Sequence, residues 1–284
     1  MATPFDLTTT AAVKSWQSLT TADQDTVIGG LITAASRSIL GYLGRPFILP
    51  KVWTDRYDVR VGLRKVILRN WPVVSVSAVQ IGATSIQAIN PQVVTPPSPS
   101  QYPGFILDTD PWGGAPPGSP VGLSFVSDPT LFAVYCQQGL QVTYTAGYQD
   151  TDTFTVASGG GSQAASPLYG NWASDMGVVY AATGVALTAV SGAPATGQYT
   201  VDSSGNYTFA AGDQGLAVTA NYGYVPMDLA QACIEVVAQR LVAGSRVGVK
   251  SKSLGGQETV SYDMSAMPDA VMKSLQPYKK VFTL

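Results

Sequence analysis

Acid–base chemistry in this chain would have to come from aspartate and glutamate, because its 284 residues include no histidine. That absence removes the commonest general base, the usual catalytic triads and most transition-metal sites. Two pairs of aspartates stand two residues apart, Asp108 with Asp110 and Asp150 with Asp152. Such pairs can bind a cation or act together as acid and base, but both stand among turn residues, where aspartate is favoured for capping the backbone. We therefore interpret both pairs as turn residues.

Two other short patterns resemble parts of catalytic or phosphate-binding sites. The run Gly159–Gly161 is followed by no Lys-Ser/Thr and has no strand-to-helix context, so a flexible linker explains it better than a phosphate cradle. The Ser and Lys residues of Ser251–Ser253 have a spacing that arises readily by chance. Cys136 and Cys233 lie far apart without metal-ligand spacing, which indicates buried thiols in a reduced compartment. We expect no enzyme activity, metal or cofactor.

Basic residues form a stronger pattern. All 16 Lys and Arg residues lie in 1–69 and 240–284, together with eight of the 18 acidic residues, whereas 70–239 contains the other ten and no basic residue. The net charge of -2 therefore combines ends of +8 with a middle of -10, which predicts a solvated acidic accessory surface.

Within the basic C-terminal part, only small or flexible residues separate Arg246, Lys250 and Lys252. This segment is either a solvated loop or a flexible finger that contacts phosphates or an acidic partner. The chain has no base-reading motif, so any contact with nucleic acid would be independent of base sequence.

The elements that would position these residues mix helices with short strands. The capping pattern Thr20–Asp23 precedes apolar residues at helical spacing from Val27 to Tyr42, which predicts a helix ending at Gly41 or Gly44. A proline-rich excursion runs from Ala88 to Pro120. Residue alternation predicts strands at Val52–Tyr57, Lys65–Leu68, Trp71–Ile81, Phe105–Leu107 and Leu140–Tyr148.

A second β-rich region follows. Leu216–Tyr224 repeats the pattern of Leu140–Tyr148, and several short strands with a hairpin turn at Ser204–Asn206 lie between these near-copies. We therefore predict an inserted all-β module at 151–220, bracketed by two equivalent strands through which the chain leaves and rejoins one sheet.

The C-terminal region returns to helical patterns. Val225–Asp228 begins a helix that Gly244 closes, and Pro268 begins the last helix. The predicted fold class is α+β: a helical core with a small β-sheet, formed discontinuously by 1–150 and 221–284, plus the inserted all-β module.

Five motifs of this core occur in an order that resembles the head-tail connector, or adaptor, proteins of tailed bacteriophages. The resemblance extends over about two thirds of the chain. Its motifs are Tyr42–Phe47, Trp71–Val76, Tyr144–Tyr148, Val225–Leu229 and Ser251–Tyr262.

The resemblance implies a structural virion protein at the head-tail interface. Members of that family form rings, commonly of twelve copies, between the portal protein and the next neck or tail-completion protein, around the DNA channel. The two long predicted helices would then form the ring body. Non-specific contact with packaged double-stranded DNA follows from the same resemblance, and no membrane contact is implied.

The resemblance also suggests positions for the contacts. The loop with Arg246, Lys250 and Lys252 would lie toward the channel or the next ring. The C-terminal arm with Tyr278, Lys279 and Lys280 would reach the portal protein.

Other assignments stay open. Another tail-completion or baseplate-associated structural protein would fit the inserted module, and a carbohydrate-binding or adhesin module would fit its Gly/Thr/Tyr-rich strands. An enzyme that hydrolyses glycosides with two carboxylates is the least supported class. The N-terminus has no signal-peptide pattern and no apolar run reaches membrane-spanning length, so we expect synthesis in the host cytoplasm.

Overall fold

The computed structural model describes residues 6–59, 65–81, 84–88, 104–109, 120–126, 136–244, 251–254, 258–261 and 267–280. Over these residues the fold is α+β, with four α-helices and with sheets of seven, three, four and two strands. Contacts divide the chain into two compact units. The first unit contains the described residues of 1–48 and 150–281, and the second contains those of 49–149.

The four helices of the first unit pack together. They are α1 (Thr10–Gln17), α2 (Asp25–Leu43), α3 (Met227–Gly244) and α4 (Asp269–Ser274), and α3 contacts each of the others. The predicted helices at α2 and α3 are confirmed, and their buried faces follow the apolar spacing of the sequence. The buried residues of α2 include Ile28, Ile32, Ala35, Ile39 and Leu43, and those of α3 include Leu229, Cys233, Val236 and Val237.

Helix α2 ends where the sequence predicts. Gly44 adopts a left-handed φ of 65°, and the N–H groups of Gly44 and Arg45 donate to the carbonyls of Gly41 and Leu40, each at 3.1 Å. By length and composition this helix could cross a membrane, with a mean hydropathy of 1.3, but core helices of globular proteins pass the same test. Here its apolar face is buried within the first unit.

The short helix α1 was not predicted. Only Val13 is buried along it, so the apolar pattern is too weak to indicate a helix. Its start is fixed by Thr9, whose hydroxyl accepts a hydrogen bond from the N–H of Ala12 at 3.2 Å. Its other half is tied to α2 by an ion pair between Lys14 and Asp25 at 2.8 Å.

The second unit contains a seven-stranded sheet in the order β1-β7-β3-β4-β5-β6-β2. Tyr144 of β7 pairs with Trp53 of β1 on one side and with Val76 of β3 on the other. Its side chain is fully buried in a core with Val79, Leu123 and other apolar residues, so β7 is the central strand of this core. The strands are β1 (Lys51–Val59), β2 (Lys65–Ile67), β3 (Val73–Ile81), β4 (Thr84–Ala88), β5 (Gly104–Thr109), β6 (Pro120–Val126) and β7 (Cys136–Ala146).

The rest of the first unit contains two sheets that share one core. The three-stranded sheet has the order β10-β14-β8, and the four-stranded sheet has the order β11-β12-β13-β9. Tyr222 of one sheet and Tyr199, Tyr207 and Phe209 of the other are buried in the same cluster. The strands are β8 (Gln149–Thr155), β9 (Ser162–Ala164), β10 (Gly170–Tyr180), β11 (Thr188–Ala189), β12 (Gln198–Val201), β13 (Asn206–Phe209) and β14 (Ala217–Pro226). We call this part the β-sandwich.

The two near-copies in the sequence lie in different sheets, so the prediction that they are equivalent strands of one sheet is wrong. β7 pairs with β1 and β3, whereas β14 lies between β10 and β8. Alternation of apolar and polar residues shows that a segment is a strand but carries no information about its partner. β14 also continues six residues past the predicted module boundary at 220. The discontinuous partition into 1–150, 151–220 and 221–284 stays a prediction.

The glycine run Gly159–Gly161 is part of the connection between β8 and β9, and the flexible-linker interpretation is wrong. Gly160 has a φ of +80°, and its N–H donates to the carbonyl of Ala157 at 3.1 Å. A Cβ at Gly160 would lie 2.8 Å from the backbone nitrogen of Ala211. The glycine is therefore required by close packing of two backbones, a constraint that composition alone does not reveal.

The predicted hairpin turn between β12 and β13 is confirmed. The Asp202 carboxylate accepts hydrogen bonds from the N–H groups of Ser204 and Asn206 at 2.8 and 2.9 Å. The Asn206 side chain also donates to this carboxylate, and these bonds lower the pKa of Asp202. Gly205 in this turn has a φ of +82° and lies against the indole ring of Trp172.

We expect Gly205→Ala to destabilise the β-sandwich more than Gly215→Ala. Both glycines have a positive φ, near +80°, which costs alanine about 1–2 kcal/mol. A Cβ at Gly205 would also lie 2.6 Å from Cγ of Trp172, whereas the position at Gly215 is open. Equilibrium urea unfolding of the two variants measures the difference, and equal losses of stability would show that Trp172 does not constrain the turn.

Candidate interaction surfaces

The structure places the predicted basic loop only in part. Arg246 and Lys250 lie outside the described residues, and Lys252 lies in a strand, β15 (Ser251–Leu254). This strand pairs with the predicted strand, β16 (Glu258–Ser261), with Lys252 opposite Val260. The expected loop is therefore a strand over these four residues. Contact of this segment with DNA stays a prediction.

The C-terminal segment, defined as 275–280, is bound to the long helices of its own chain. The Tyr278 hydroxyl donates to the Asp228 carboxylate of α3 at 3.0 Å. The Lys279 ammonium lies 4.8 Å from the centroid of the Tyr42 ring of α2. The predicted portal-contact residues, Tyr278, Lys279 and Lys280, therefore pack on α2 and α3 of their own chain. The sequence had suggested an arm that extends from the core to the portal protein.

Two backbone and side-chain contacts strengthen this docking. The N–H of Lys280 donates to the carbonyl of Leu43 at 2.8 Å, which satisfies a group at the C-terminus of α2. Gln276 donates from its side-chain amide to the Tyr42 hydroxyl at 3.1 Å. Tyr42 is thus the principal anchor of the segment. The sequence indicated Tyr42 as a member of the periodic face of α2 and of the motif Tyr42–Phe47, but not as an anchor, because Gln276 lies more than 200 residues away.

An apolar surface adjoins this segment where β14 becomes α3. Leu168, Tyr169 and Met227 are 73%, 60% and 60% exposed. The N–H of Met227 donates to the carbonyl of Tyr169 at 3.0 Å, so the two residues lie side by side. Met227 directly precedes Asp228, the partner of Tyr278. We call Leu168, Tyr169 and Met227 the α3-end surface; sequence reasoning missed it, since none of the three interrupts its local pattern.

The paired aspartates of β8, Asp150 and Asp152, accept hydrogen bonds from backbone N–H groups. Asp150 accepts a hydrogen bond from the N–H of Leu168 at 3.2 Å. Asp152 accepts from the N–H of Ser166 at 2.6 Å and from the Tyr222 hydroxyl at 2.8 Å. The predicted role in binding backbone is confirmed, but the predicted position in a turn is wrong, because both residues lie within a strand.

The structure describes only one residue of the other aspartate pair. Asp108 lies in β5, and Asp110 lies outside the described residues. Over the part of the chain that the structure describes, no group of three or more His, Cys, Asp or Glu side chains is arranged to hold a metal ion. Cys233 is buried beside Ser36 at 3.5 Å, and burial raises the pKa of its thiol to about 11.

Several aspartates accept hydrogen bonds from tyrosine hydroxyl groups. Asp213 is fully buried, so the interpretation of the middle of the chain as a solvated acidic surface is wrong for this residue. A carboxylate with no cation nearby is stabilised by donated hydrogen bonds instead. The pairs are Asp55 with Tyr144 at 2.6 Å, Asp175 with Tyr199 at 2.6 Å and with Tyr207 at 3.1 Å, and Asp213 with Tyr180 at 2.6 Å.

These tyrosines resist ionisation. Burial is the largest cause that raises the pKa of Tyr199, Tyr207 and Tyr222 well above the ordinary value of 10. The neighbouring carboxylates act in the same direction, since a tyrosinate beside a carboxylate would be repelled. In the second unit, burial and Asp55 raise the pKa of Tyr57 to about 12.

Residues 6–98 match the family model of head completion proteins. The matched segment includes α1, α2 and β1 to β4, and therefore parts of both units. This match confirms the resemblance to phage head-tail connector proteins, and it indicates a structural protein of the virion at the head-tail stage. No curated protein sequence matches the chain significantly.

The buried tyrosines lead us to expect alkaline unfolding. Because folding raises their pKa, the unfolded chain releases tyrosine protons above pH 10 that the folded chain retains. Stability is therefore fully present below pH 10 and declines as the pH rises beyond it. Tyrosinate absorbance from these residues should appear together with the loss of β-sheet circular dichroism. Their ionisation in a fully folded protein near pH 10 would contradict this expectation.

Proposed function

We propose that the protein is a non-enzymatic adaptor that forms a ring between the portal protein and the next neck or tail-completion protein. The observation that carries the proposal is the head completion match over 6–98. In this proposal α1 to α4 form the body of each subunit, and the β-sandwich is an accessory module on it. A ring of about twelve copies, as in the family that the sequence resembles, would surround the DNA channel.

The charge distribution supports a position next to DNA. Every Lys and Arg of the chain lies in 1–69 or 240–284. A closed ring repeats each lumenal cation once per subunit, so one or two basic residues generate a strong positive ring. Arg246, Lys250 and Lys252 are the proposed lumenal residues. Their contact with packaged double-stranded DNA would be non-specific, because a phosphate backbone carries no sequence information.

The docked C-terminal segment supports a portal contact. Tyr278, Lys279 and Lys280 are held in place by α2 and α3, so a partner would meet a preorganised surface and pay little ordering entropy. Lys279 is exposed although its ammonium lies over Tyr42, which leaves it accessible to a carboxylate of a partner.

A second candidate is another tail-completion or baseplate-associated structural protein. The β-sandwich favours it, because a self-contained core of this kind is suited to decorate many virion proteins. A carbohydrate-binding role for the same module has less support, since its described aspartates are engaged in internal hydrogen bonds.

Electron microscopy tests the proposed function directly. The protein mixed with its purified portal protein should form a ring with a central channel on one face of the portal. Antibody labelling of virions should then mark the neck. A protein that never binds portal, or label at the baseplate, would overturn the adaptor assignment.

Substitution of the docked lysines tests the proposed portal contact. We expect Lys279→Ala with Lys280→Ala to weaken portal binding about fivefold or more, because two charges leave the rim of the contact. Lys273→Ala is the matched control, since Lys273 is an exposed lysine of the neighbouring helix α4. Surface plasmon resonance on immobilised portal measures both variants. Equal affinities would place the portal contact elsewhere.

A further inference from the structure

Tyr42 is half-buried near the C-terminus of α2 and contacts two other elements from there. Its hydroxyl donates to the carbonyl of Met272 in α4 at 3.4 Å and accepts a hydrogen bond from the side-chain amide of Gln276 at 3.1 Å. Its ring lies with its centroid 4.8 Å from the Lys279 ammonium. The hydroxyl therefore joins α4 to the C-terminal segment, whereas the ring faces a lysine of the proposed portal contact.

The ring determines where the Lys279 ammonium lies. Lysine has a long flexible stem, so an exposed lysine samples many positions when nothing holds it. Lys279 is exposed and forms no ion pair with any described residue. A cation over an aromatic ring is attracted by the ring quadrupole, and this attraction does not use its hydrogen-bond donors. The contact with Tyr42 therefore holds the ammonium in place and leaves its N–H groups for a carboxylate of a partner.

The second tyrosine of this surface has a different role. The Tyr278 hydroxyl donates to the Asp228 carboxylate in the first turn of α3 at 3.0 Å. Asp228 is thus the carboxylate next to the C-terminal segment, but it is bonded to Tyr278 and forms no ion pair with Lys279. Tyr278 binds the segment to α3, and Tyr42 orients the lysine beside α2.

Tyr42 also connects two parts of the chain that the family match separates. The matched residues 6–98 contain Tyr42, whereas Met272, Gln276 and Lys279 lie outside them. One side chain of the matched segment thus holds the lysine that we assign to the portal contact.

We propose that Tyr42 is the positioning residue of the portal contact, and that its ring presents the Lys279 ammonium to an acidic group of the portal protein. The inference rests on the proposed function and adds the residue that orients its contact. Without the ring, a partner would have to order the lysine on binding, at an entropic cost. An exposed cation–π contact corresponds to a factor of about two to five in affinity.

Nuclear magnetic resonance of the protein without portal measures whether the ring holds Lys279. Protons above an aromatic face are shielded, so the Hε signals of Lys279, identified by their loss in Lys279→Ala, should lie upfield of those of Lys273. Tyr42→Phe should keep this shift because the ring remains, and Tyr42→Leu should abolish it. Lys273, an exposed lysine of α4, is the matched control and should keep its signals in both variants.

Surface plasmon resonance on immobilised portal measures the consequence for binding. Tyr42→Leu should weaken binding about two- to fivefold, and Tyr42→Phe should restore the wild-type affinity. In a protein that already carries Lys279→Ala, Tyr42→Leu should have no further effect, because Tyr42 acts through that lysine.

The outcomes separate this role from the proposed function. A Lys279 shift or a portal affinity that Tyr42→Leu leaves unchanged would overturn the role of Tyr42. An equal loss of affinity with and without Lys279 would show that Tyr42 acts through the fold of the helices, and a loss in Tyr42→Phe would assign the effect to the hydroxyl; either result contradicts positioning by the ring. Portal binding that Lys279→Ala does not weaken overturns the lysine contact together with the role of Tyr42 in it. Wild type that never binds portal overturns the proposed function as well.

Discussion

The continuity of strand β14 with helix α3 is the constraint on which the first unit depends. β14 ends at Pro226 and α3 begins at Met227, so no loop separates the central strand of a sheet from the helix that contacts all the other helices. The strand is fixed by Tyr222 in the core of the β-sandwich, and the helix is fixed by Leu229 and Cys233 among the helices. A displacement of either end is therefore transmitted directly to the other.

The negative charge of the carboxylates in residues 70–239 is not balanced by any Lys or Arg of the same stretch, so these groups need other hydrogen-bond donors. Between residues 70 and 239 the chain contains no Lys or Arg. The described aspartates Asp152, Asp175 and Asp213 accept hydrogen bonds from neutral donors. Asp175 binds two tyrosine hydroxyl groups, and Asp213 binds one together with the N–H of Gly197. The same bonds position the large aromatic side chains of the core. The tyrosine-rich composition and the charge segregation therefore have one structural explanation within the β-sandwich.

Two candidate surfaces, the C-terminal segment and the α3-end surface, lie close to the junction of the helices and the β-sandwich. Tyr278 links the C-terminal segment to the first turn of α3, and Met227, the first residue of that turn, is exposed. The proposed portal contact therefore lies next to the α3-end surface.

The amino-acid sequence by itself determined the local elements and the charge map. Apolar spacing and Gly44 define α2, alternation defines strands such as β3 and β7, and the resemblance carried by motifs such as Tyr42–Phe47 is confirmed over 6–98. These features depend on near neighbours in the chain. The candidate lysines follow from the charge pattern and from the family resemblance. Only the tertiary structure decided that β7 and β14 occupy different sheets, that Lys279 lies over Tyr42, and that Met227 is exposed. The partners of a strand or of a side chain lie far apart from it in sequence. Local alternation and the charge pattern do not specify which distant residues those partners are.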